Sequence, residues 1–319
     1  MKKTKIIVIL GQTSVGKSDF AVGLAQKVNG EIISADSRQV YKGMDLGTGK
    51  ITKKEMHGVP HYLLDLVSPS KTFSVSYFQK KAFEKIKEIS KKGKVPIICG
   101  GTGFYIDSIT NGTIFPEVPP NKKLREELSK KTASELFEIL KNLDIDRANN
   151  IDSNNSVRLI RAIEIAKTLG SVPKLKNHTD TNSAIAEFVS VSKFEVLKIG
   201  LTLPTEILKE RIKIRLLSRI KKGMLKEIRN LHDKGISWKR MNELGLEYRY
   251  GAMNLQDKLT KVKMIEKLNT EIWHFAKRQN TWFKRDKSII WINPMEKAEK
   301  TQVFKEIKKF LLTKTEAGK

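Results

Sequence analysis

Cysteine is nearly absent from this 319-residue chain, with Cys99 as its single thiol. That excludes a disulfide framework and a cysteine-based zinc site, and it suits a reducing cytosol, so a cytoplasmic protein is expected. Long apolar stretches are missing as well. No run approaches the roughly 18 residues that a membrane-spanning helix needs, so no membrane partner is expected. The opening MKKTKIIVIL has the basic start and apolar run of a signal peptide. That run is only Ile6–Leu10 and leads straight into a glycine-rich loop, which argues against a cleaved leader. Acidic residues are scarce, 35 against 61 basic ones, for a net charge of +26. Such an excess suggests a polyanionic partner, nucleic acid ahead of an anionic membrane surface, although a plain lysine bias would give the same total. The excess is uneven: residues 111–192 are almost neutral, while 193–319 carry its largest share. This break in composition hints at an insertion between two basic blocks.

What is present belongs to a globular chain, with 39% hydrophobic and 30% charged residues and length for about two domains. Lys5–Leu10 (KIIVIL) is a continuous apolar run before a glycine-rich turn, the pattern of a buried parallel strand. Helical periodicity follows over Asp19–Val28. Glu31–Ala35 reads as a second strand, Phe78–Ile89 as an amphipathic helix and Val95–Cys99 as a third strand. This rhythm indicates an α/β fold with a parallel sheet. From Asn111 to about Phe194 the strand signal disappears. Leu124–Leu143 reads as one helix and Ser156–Leu169 as another, capped by Ser156 and ended by Gly170, and His178–Ser183 as a polar loop. Val196–Leu203 resumes strand character, with Pro204 in the first turn of a basic helix. Lys261–Phe283 reads as a long helix, Ser288–Asn293 as a last strand and Glu299–Leu312 as a closing helix.

Gly11-Gln12-Thr13-Ser14-Val15-Gly16-Lys17-Ser18 matches the G-x-x-x-x-G-K-[ST] phosphate-binding pattern, between a strand and a helix as that loop requires. Its glycines let backbone N–H groups converge on phosphate oxygens, Lys17 supplies positive charge, and Ser18 offers a hydroxyl to Mg²⁺. The motif leaves the reaction open. Asp36, just past the second strand, faces the ligand crevice of a parallel sheet and suits a general base or a magnesium ligand, with a plain turn residue as the alternative. Gly100-Gly101-Thr102-Gly103 forms a second glycine-rich turn at the same edge, which permits close approach of backbone to a ligand. Among only 13 arginines, Arg158 and Arg161 sit three apart, and Arg211, Arg215 and Arg219 recur every fourth residue. Such a stripe is either a solvated face or the lining of a phosphate cleft. Lys277-Arg278-Gln279-Asn280-Thr281-Trp282-Phe283-Lys284-Arg285 interleaves basic and aromatic residues, suited to RNA contact with stacking, unless Trp282 and Phe283 are core.

Together, GQTSVGKS (11–18), ISADSRQVYKGMDLGTGK (33–50), HYLLDLVSP (61–69), FSVSYF (73–78), GGTGFYI (100–106), VRLIRAIEI (157–165), the Arg211/Arg215 helix and AKRQNTWFKR (276–285) resemble the bacterial tRNA dimethylallyltransferase family, also called tRNA isopentenyltransferases, over essentially the whole chain. The resemblance implies a P-loop NTPase-like parallel sheet flanked by helices, with an inserted all-helical domain. Its parts would be a core over 1–112, a helical insertion over 113–194 that grips the tRNA anticodon stem-loop, and a second core part over 195–319. It implies transfer of a dimethylallyl group from dimethylallyl diphosphate to N6 of the adenosine just 3′ of the anticodon, position 37, with release of diphosphate. In that scheme the loop Gly11, Gln12, Thr13, Ser14, Val15, Gly16, Lys17 and Ser18 holds the prenyl diphosphate rather than ATP, although a nucleotide could compete for it. Asp36 would be the general base and Thr102 would orient the leaving group. Lys17, Arg215, Arg211 and Ser18 with Mg²⁺ would neutralise the departing diphosphate. Contacts with tRNA would come from Asp36, Ser37, Arg38, Gln39 and Thr102, from Val157, Arg158, Leu159, Ile160 and Arg161, from Gly245 and Arg249, and from Lys277 and Arg278. The active form is expected to be a monomer. Two departures stand out: Gln12 replaces the family's usual proline, and Gly245-Leu246 replaces a glycine-tyrosine pair, with Tyr248 two residues later. A small-molecule or nucleotide kinase, a free-adenylate prenyltransferase and a pure RNA-binding module are the competing readings.

Overall fold

In the computed structural model, which describes residues 3–113, 115–173 and 194–313, the chain divides into two compact units. The first comprises Met1–Gly112 and Ser190–Lys319, the second Thr113–Val189. The expected loop at His178–Ser183 lies outside the described residues.

The first unit starts with β1 (Thr4–Gly11), α1 (Lys17–Val28), β2 (Gly30–Ser34), β3 (His61–Tyr62), α2 (Val75–Lys91), β4 (Val95–Gly100) and α3 (Gly103–Thr110). The second unit holds α4 (Lys122–Leu128), α5 (Ala133–Leu143), α6 (Ile145–Asn149) and α7 (Ser156–Leu169). The first then resumes with β5 (Phe194–Leu201), α8 (Thr205–Lys221), α9 (Met224–Asp233), α10 (Trp238–Leu244), α11 (Leu246–Leu255), α12 (Lys261–Phe283), β6 (Ile290–Ile292) and α13 (Lys297–Leu312). Its sheet runs β3-β2-β4-β1-β5-β6 with every pair parallel.

Strand β1 lies near the middle because Ile6–Leu10 are apolar on both faces, and all five are buried. Each fully buried Ile or Leu contributes about 1.5–3 kcal/mol over leaving it exposed. Helix α1 covers the sheet with Phe20, Ala21, Val22, Leu24 and Ala25. It ends at Asn29, which takes the left-handed conformation (φ 50). Parallel strands send their C-terminal ends to one edge, so Gly11, Ser34 and Gly100 open onto a shared crevice.

In the second unit, the single helix expected over Leu124–Leu143 is two helices. Thr132 restarts the chain with a capping box: its hydroxyl accepts the Glu135 N–H at 3.3 Å while Glu135 accepts the Thr132 N–H at 2.7 Å. The cap of α7 is Asn155, not Ser156, since the Asn155 Oδ1 takes the Arg158 N–H at 3.2 Å. Gly170 (φ 84) ends that helix as expected. Leu128, Leu136, Leu140, Ala148, Leu159, Ala162 and Ile163 form the unit's apolar core. Pro204 caps α8 from outside instead of occupying its first turn, and the segment after α8 folds into three further short helices, α9–α11.

Candidate functional site

The loop after β1 is shaped by glycines whose positive φ disfavours any side chain. Gly11 sits at φ 140, and a Cβ there would run into the Leu201 carbonyl. Gly16 (φ 99) turns the chain into α1, whose N-terminus points its free N–H groups and positive dipole end at the loop. Lys17 donates from Nζ to the Gln12 carbonyl at 2.6 Å, and burial pulls its pKa down to about 8. Ser18 is exposed in the first turn. Arg211 reaches the loop from α8, with Nη1 3.8 Å from where a Cβ on Gly16 would sit.

The ends of β2 and β4 meet beside this loop. A Cβ on Gly100 would collide with the backbone of Ala35, so the two strand ends lie in close contact. The Thr102 N–H donates to the Ala35 carbonyl at 3.2 Å, and the Thr102 hydroxyl accepts the Ser37 N–H at 3.1 Å. Asp36 lies between them. Its Oδ1 accepts the N–H of Arg38 at 2.8 Å and of Gln39 at 3.4 Å, which orients the carboxylate and leaves Oδ2 available. The charges of Arg215 and Asp36 both act on Lys17, the first lowering and the second raising its pKa. Thus the structure brings Asp36, Thr102, Lys17, Arg211 and Arg215 to one crevice.

Arg215 donates from Nη2 to the Gly49 carbonyl at 3.2 Å, and burial, with Arg219 beside it, pushes its pKa down to about 10. Arg219 donates to the Gly47 carbonyl at 3.3 Å and pairs with Glu247 at 3.2 Å. The 45–50 loop that supplies those carbonyls is anchored by Glu227, a residue the sequence did not single out. Its carboxylate accepts the N–H groups of Asp45, Leu46 and Gly47 at 2.9, 2.7 and 3.0 Å, and the Tyr248 hydroxyl at 2.7 Å. No local pattern announces a contact 180 residues away.

Candidate tRNA residues separate into those that are presented and those that are not. Ser37, Arg38 and Gln39 follow Asp36 and are half-buried, and Arg38 approaches Gly245 (φ 142), with Nε 3.7 Å from a Cβ placed there. Arg249 is exposed, its guanidinium on the Asn242 carbonyl at 3.1 Å. Tyr248 is buried against Glu227 and does not stand in for a surface tyrosine. On α12, Lys277 and Arg278 are exposed whereas Phe283 is core, and Trp282 donates to Asp107 at 2.8 Å over Gly103. The basic–aromatic interleaving therefore divides into a basic outer face and an aromatic inner one.

Within the second unit, Val157 and Arg158 are exposed and Ile160 is half-buried. Leu159 is fully buried in that unit's core, so its side chain has no surface to offer RNA. Arg161 is drawn onto Glu164 and the Val118 carbonyl, the latter at 2.9 Å.

Among the described residues no group of three or more His, Cys, Asp and Glu side chains is placed to hold a metal, and no helix is long and apolar enough to cross a membrane.

Residues 39–286 match the family described as IPP transferase. The chain is 43% identical over 295 residues to tRNA dimethylallyltransferase 2 of Treponema denticola, covering 91% of this chain and 95% of that one. It is 34% identical to tRNA dimethylallyltransferase of Bacillus anthracis, with both chains covered in full. Among solved structures, it superposes on the full-length tRNA isopentenylpyrophosphate transferase of Bacillus halodurans with a TM-score of 0.71 at 33% identity, covering 97% of each chain. A eukaryotic dimethylallyltransferase acting on tRNA gives a TM-score of 0.73 at 25% identity, covering 95% of this chain and 78% of that one.

Proposed function

The chain belongs to the IPP transferase family and transfers a dimethylallyl group to adenosine 37 of tRNA, and on that premise we propose that the Gly11–Ser18 loop holds dimethylallyl diphosphate while Asp36 receives the proton of the attacking amine. One observation carries this reading. Asp36 and Thr102 sit together at the ends of adjacent strands, in the crevice that the phosphate-type loop and Arg215 share.

An allylic carbon ionises readily once its diphosphate leaves, so catalysis consists mainly in stabilising the negative charge that develops on the leaving group. The C–O bond between prenyl carbon and diphosphate breaks and the diphosphate departs with its electron pair. Loop N–H groups, Lys17, Arg211 and Arg215 neutralise it. The N6 lone pair bonds the carbon, and the N6 proton passes to the Asp36 carboxylate. Thr102 orients the bridging oxygen. The adenine must leave its stack to reach Asp36, and Ser37, Arg38 and Gln39 line its way in.

The residues present fit a magnesium ion, because that ion takes few protein ligands and prefers hard oxygens, and the Ser18 hydroxyl is exposed at the start of α1. Ser18 would hold it, and the bound ion would add positive charge at the diphosphate. The helical second unit and the exposed Val157 and Arg158 make that unit the grip on the anticodon stem-loop in this reading. On this reading the enzyme works as a monomer in the cytoplasm.

The test is incorporation of labelled dimethylallyl diphosphate into tRNA, AMP or ADP. Label should enter tRNA alone. Label in AMP or ADP would make the chain an adenylate prenyltransferase.

A further inference from the structure

We propose that Gln279 is a positioning residue for the transfer: its carboxamide ties the diphosphate loop to the Thr102 turn and sets the distance between leaving group and acceptor. The Gln279 Oε1 accepts the N–H of Thr13 at 2.8 Å, and its Nε2 donates to the Gly101 carbonyl at 2.8 Å. Backbone N–H can only donate and a carbonyl can only accept, so these partners dictate the orientation of the amide. Gln279 is 7% exposed, and a Cβ on Gly101 would run into its Nε2, so the two segments close tightly around it.

The two tied segments emerge from adjacent strands. Leu10 of β1 is in register with Gly100 of β4, and immediately beyond that pair the ladder ends. Gln279 reaches in from α12 and satisfies one orphan group on each side, which is what a buried backbone requires. The neighbouring turns of α12 add to the hold. Gln12 donates from Nε2 to the Ala276 carbonyl at 3.2 Å, and Trp282 lies against Gly103. Gln279 touches both segments at once with a neutral group that donates and accepts. Thr13 belongs to the leaving-group cradle, whereas Gly101 precedes Thr102, whose hydroxyl holds Ser37 beside Asp36. Bond making and bond breaking occur at the same carbon, so a relative shift of about 1 Å between the two sides can cost about 10²-fold in rate.

The inference rests on the loop holding the prenyl diphosphate and on Asp36 facing the acceptor. Its test is steady-state kinetics of Gln279→Met, Gly101→Ala and the double variant, with dimethylallyl diphosphate and an anticodon stem-loop, alongside thermal unfolding. Gln279→Met removes both hydrogen bonds at nearly constant volume. It should lower kcat by about 10–100-fold, leave both KM values within about threefold and shift Tm by only a few degrees. Gly101→Ala, which pushes on the same link from the other side, should lower kcat comparably, and the double variant should be no slower than the slower single one. A kcat within twofold of the unaltered chain, a loss confined to the KM for the prenyl diphosphate, or additive losses would each overturn the proposal. If Gln279→Met does not fold, the kcat and KM of Gly101→Ala decide alone. An unaltered chain that modifies no tRNA would instead overturn the reading of the loop, so that control separates the two failures.

Discussion

Arg161 turns its guanidinium inward onto the carboxylate of Glu164, whose side chain is only 1% exposed. Arg158, three residues earlier on α7, is exposed. Two arginines that look equivalent in the sequence therefore serve different ends. Arg158→Ala should raise the KM for tRNA without moving the unfolding temperature, whereas Arg161→Ala should lower that temperature as well. For the unaltered chain, stem-loop affinity should fall as salt rises, because each neutralised phosphate releases counterions. Arg158→Ala should flatten that slope. A salt-independent affinity would detach the +26 charge from RNA binding.

Glu164 also makes the second unit's stability depend on pH. Burial alone would raise its pKa, but Arg125 (Nη2 2.7 Å, Nε 2.9 Å), the Asn121 N–H (2.6 Å) and Arg161 overcome that and hold it near 2, against an ordinary 4.5. A carboxylate with a depressed folded pKa gives its full stabilisation above the unfolded value and loses it as pH falls towards the folded one. Stability should therefore drop between pH 4.5 and 2. Glu164→Gln should remove that increment and cost about 2–4 kcal/mol at neutral pH. This is somewhat less than for a fully buried pair, because Arg125 and Arg161 are 42% and 35% exposed. Urea unfolding followed over this pH range would measure both.

In the proposed mechanism the chemistry turns on Asp36. Its Oδ1 is taken by two backbone N–H groups, which Asn can accept equally well, so Asp36→Asn should preserve the local turn. Binding of tRNA and of the prenyl diphosphate should stay near normal while kcat falls by about 10²–10⁴-fold, the range for a lost general base. Normal turnover would remove Asp36 from that role, and lost tRNA binding would make it a recognition residue.

The sequence exposed the parts of this site that depend on local rules. A continuous apolar run can only be a buried strand or helix segment, and the glycine-rich loop behind Ile6–Leu10 decides for the strand. Asp36 and Thr102 follow from the same logic, since residues past parallel strand ends face the crevice. The break in the 124–143 helix was also legible, in Thr132-Ala133-Ser134-Glu135, but its capping pattern is outweighed there by helix-forming neighbours. At the start of α7, Asn155 and Ser156 are both good caps and only backbone geometry chooses between them. Glu227, Tyr248 and Gln279 were not legible as anchors, because their partners lie more than 20 residues away, in two cases more than 170, and nothing local marks them. Leu159 was named as an RNA contact by a motif carried over as a whole stretch, although α7 turns its side chain inward.

The fate of one bond separates a prenyl transferase from a kinase built on the same loop. Phosphates of a nucleotide and of an allylic diphosphate present the same oxygens to residues 11–18, so a nucleotide can compete without reacting. In a kinase or ATPase a P–O bond to the terminal phosphoryl breaks, whereas the proposed transfer breaks the C–O bond to the prenyl carbon and releases intact diphosphate. Release of diphosphate should therefore require magnesium, dimethylallyl diphosphate and tRNA together, with no ATP. The Lys17 ammonium donates to the Gln12 carbonyl in the 11–18 loop, so its charge sits where phosphate oxygens would be held. Lys17→Ala removes the charge beside the leaving group and should lower diphosphate release by at least about 10²-fold, as loss of one preorganised donor to a developing anion does. Robust ATP hydrolysis by the unaltered chain, or a phosphorylated product, would favour the kinase instead.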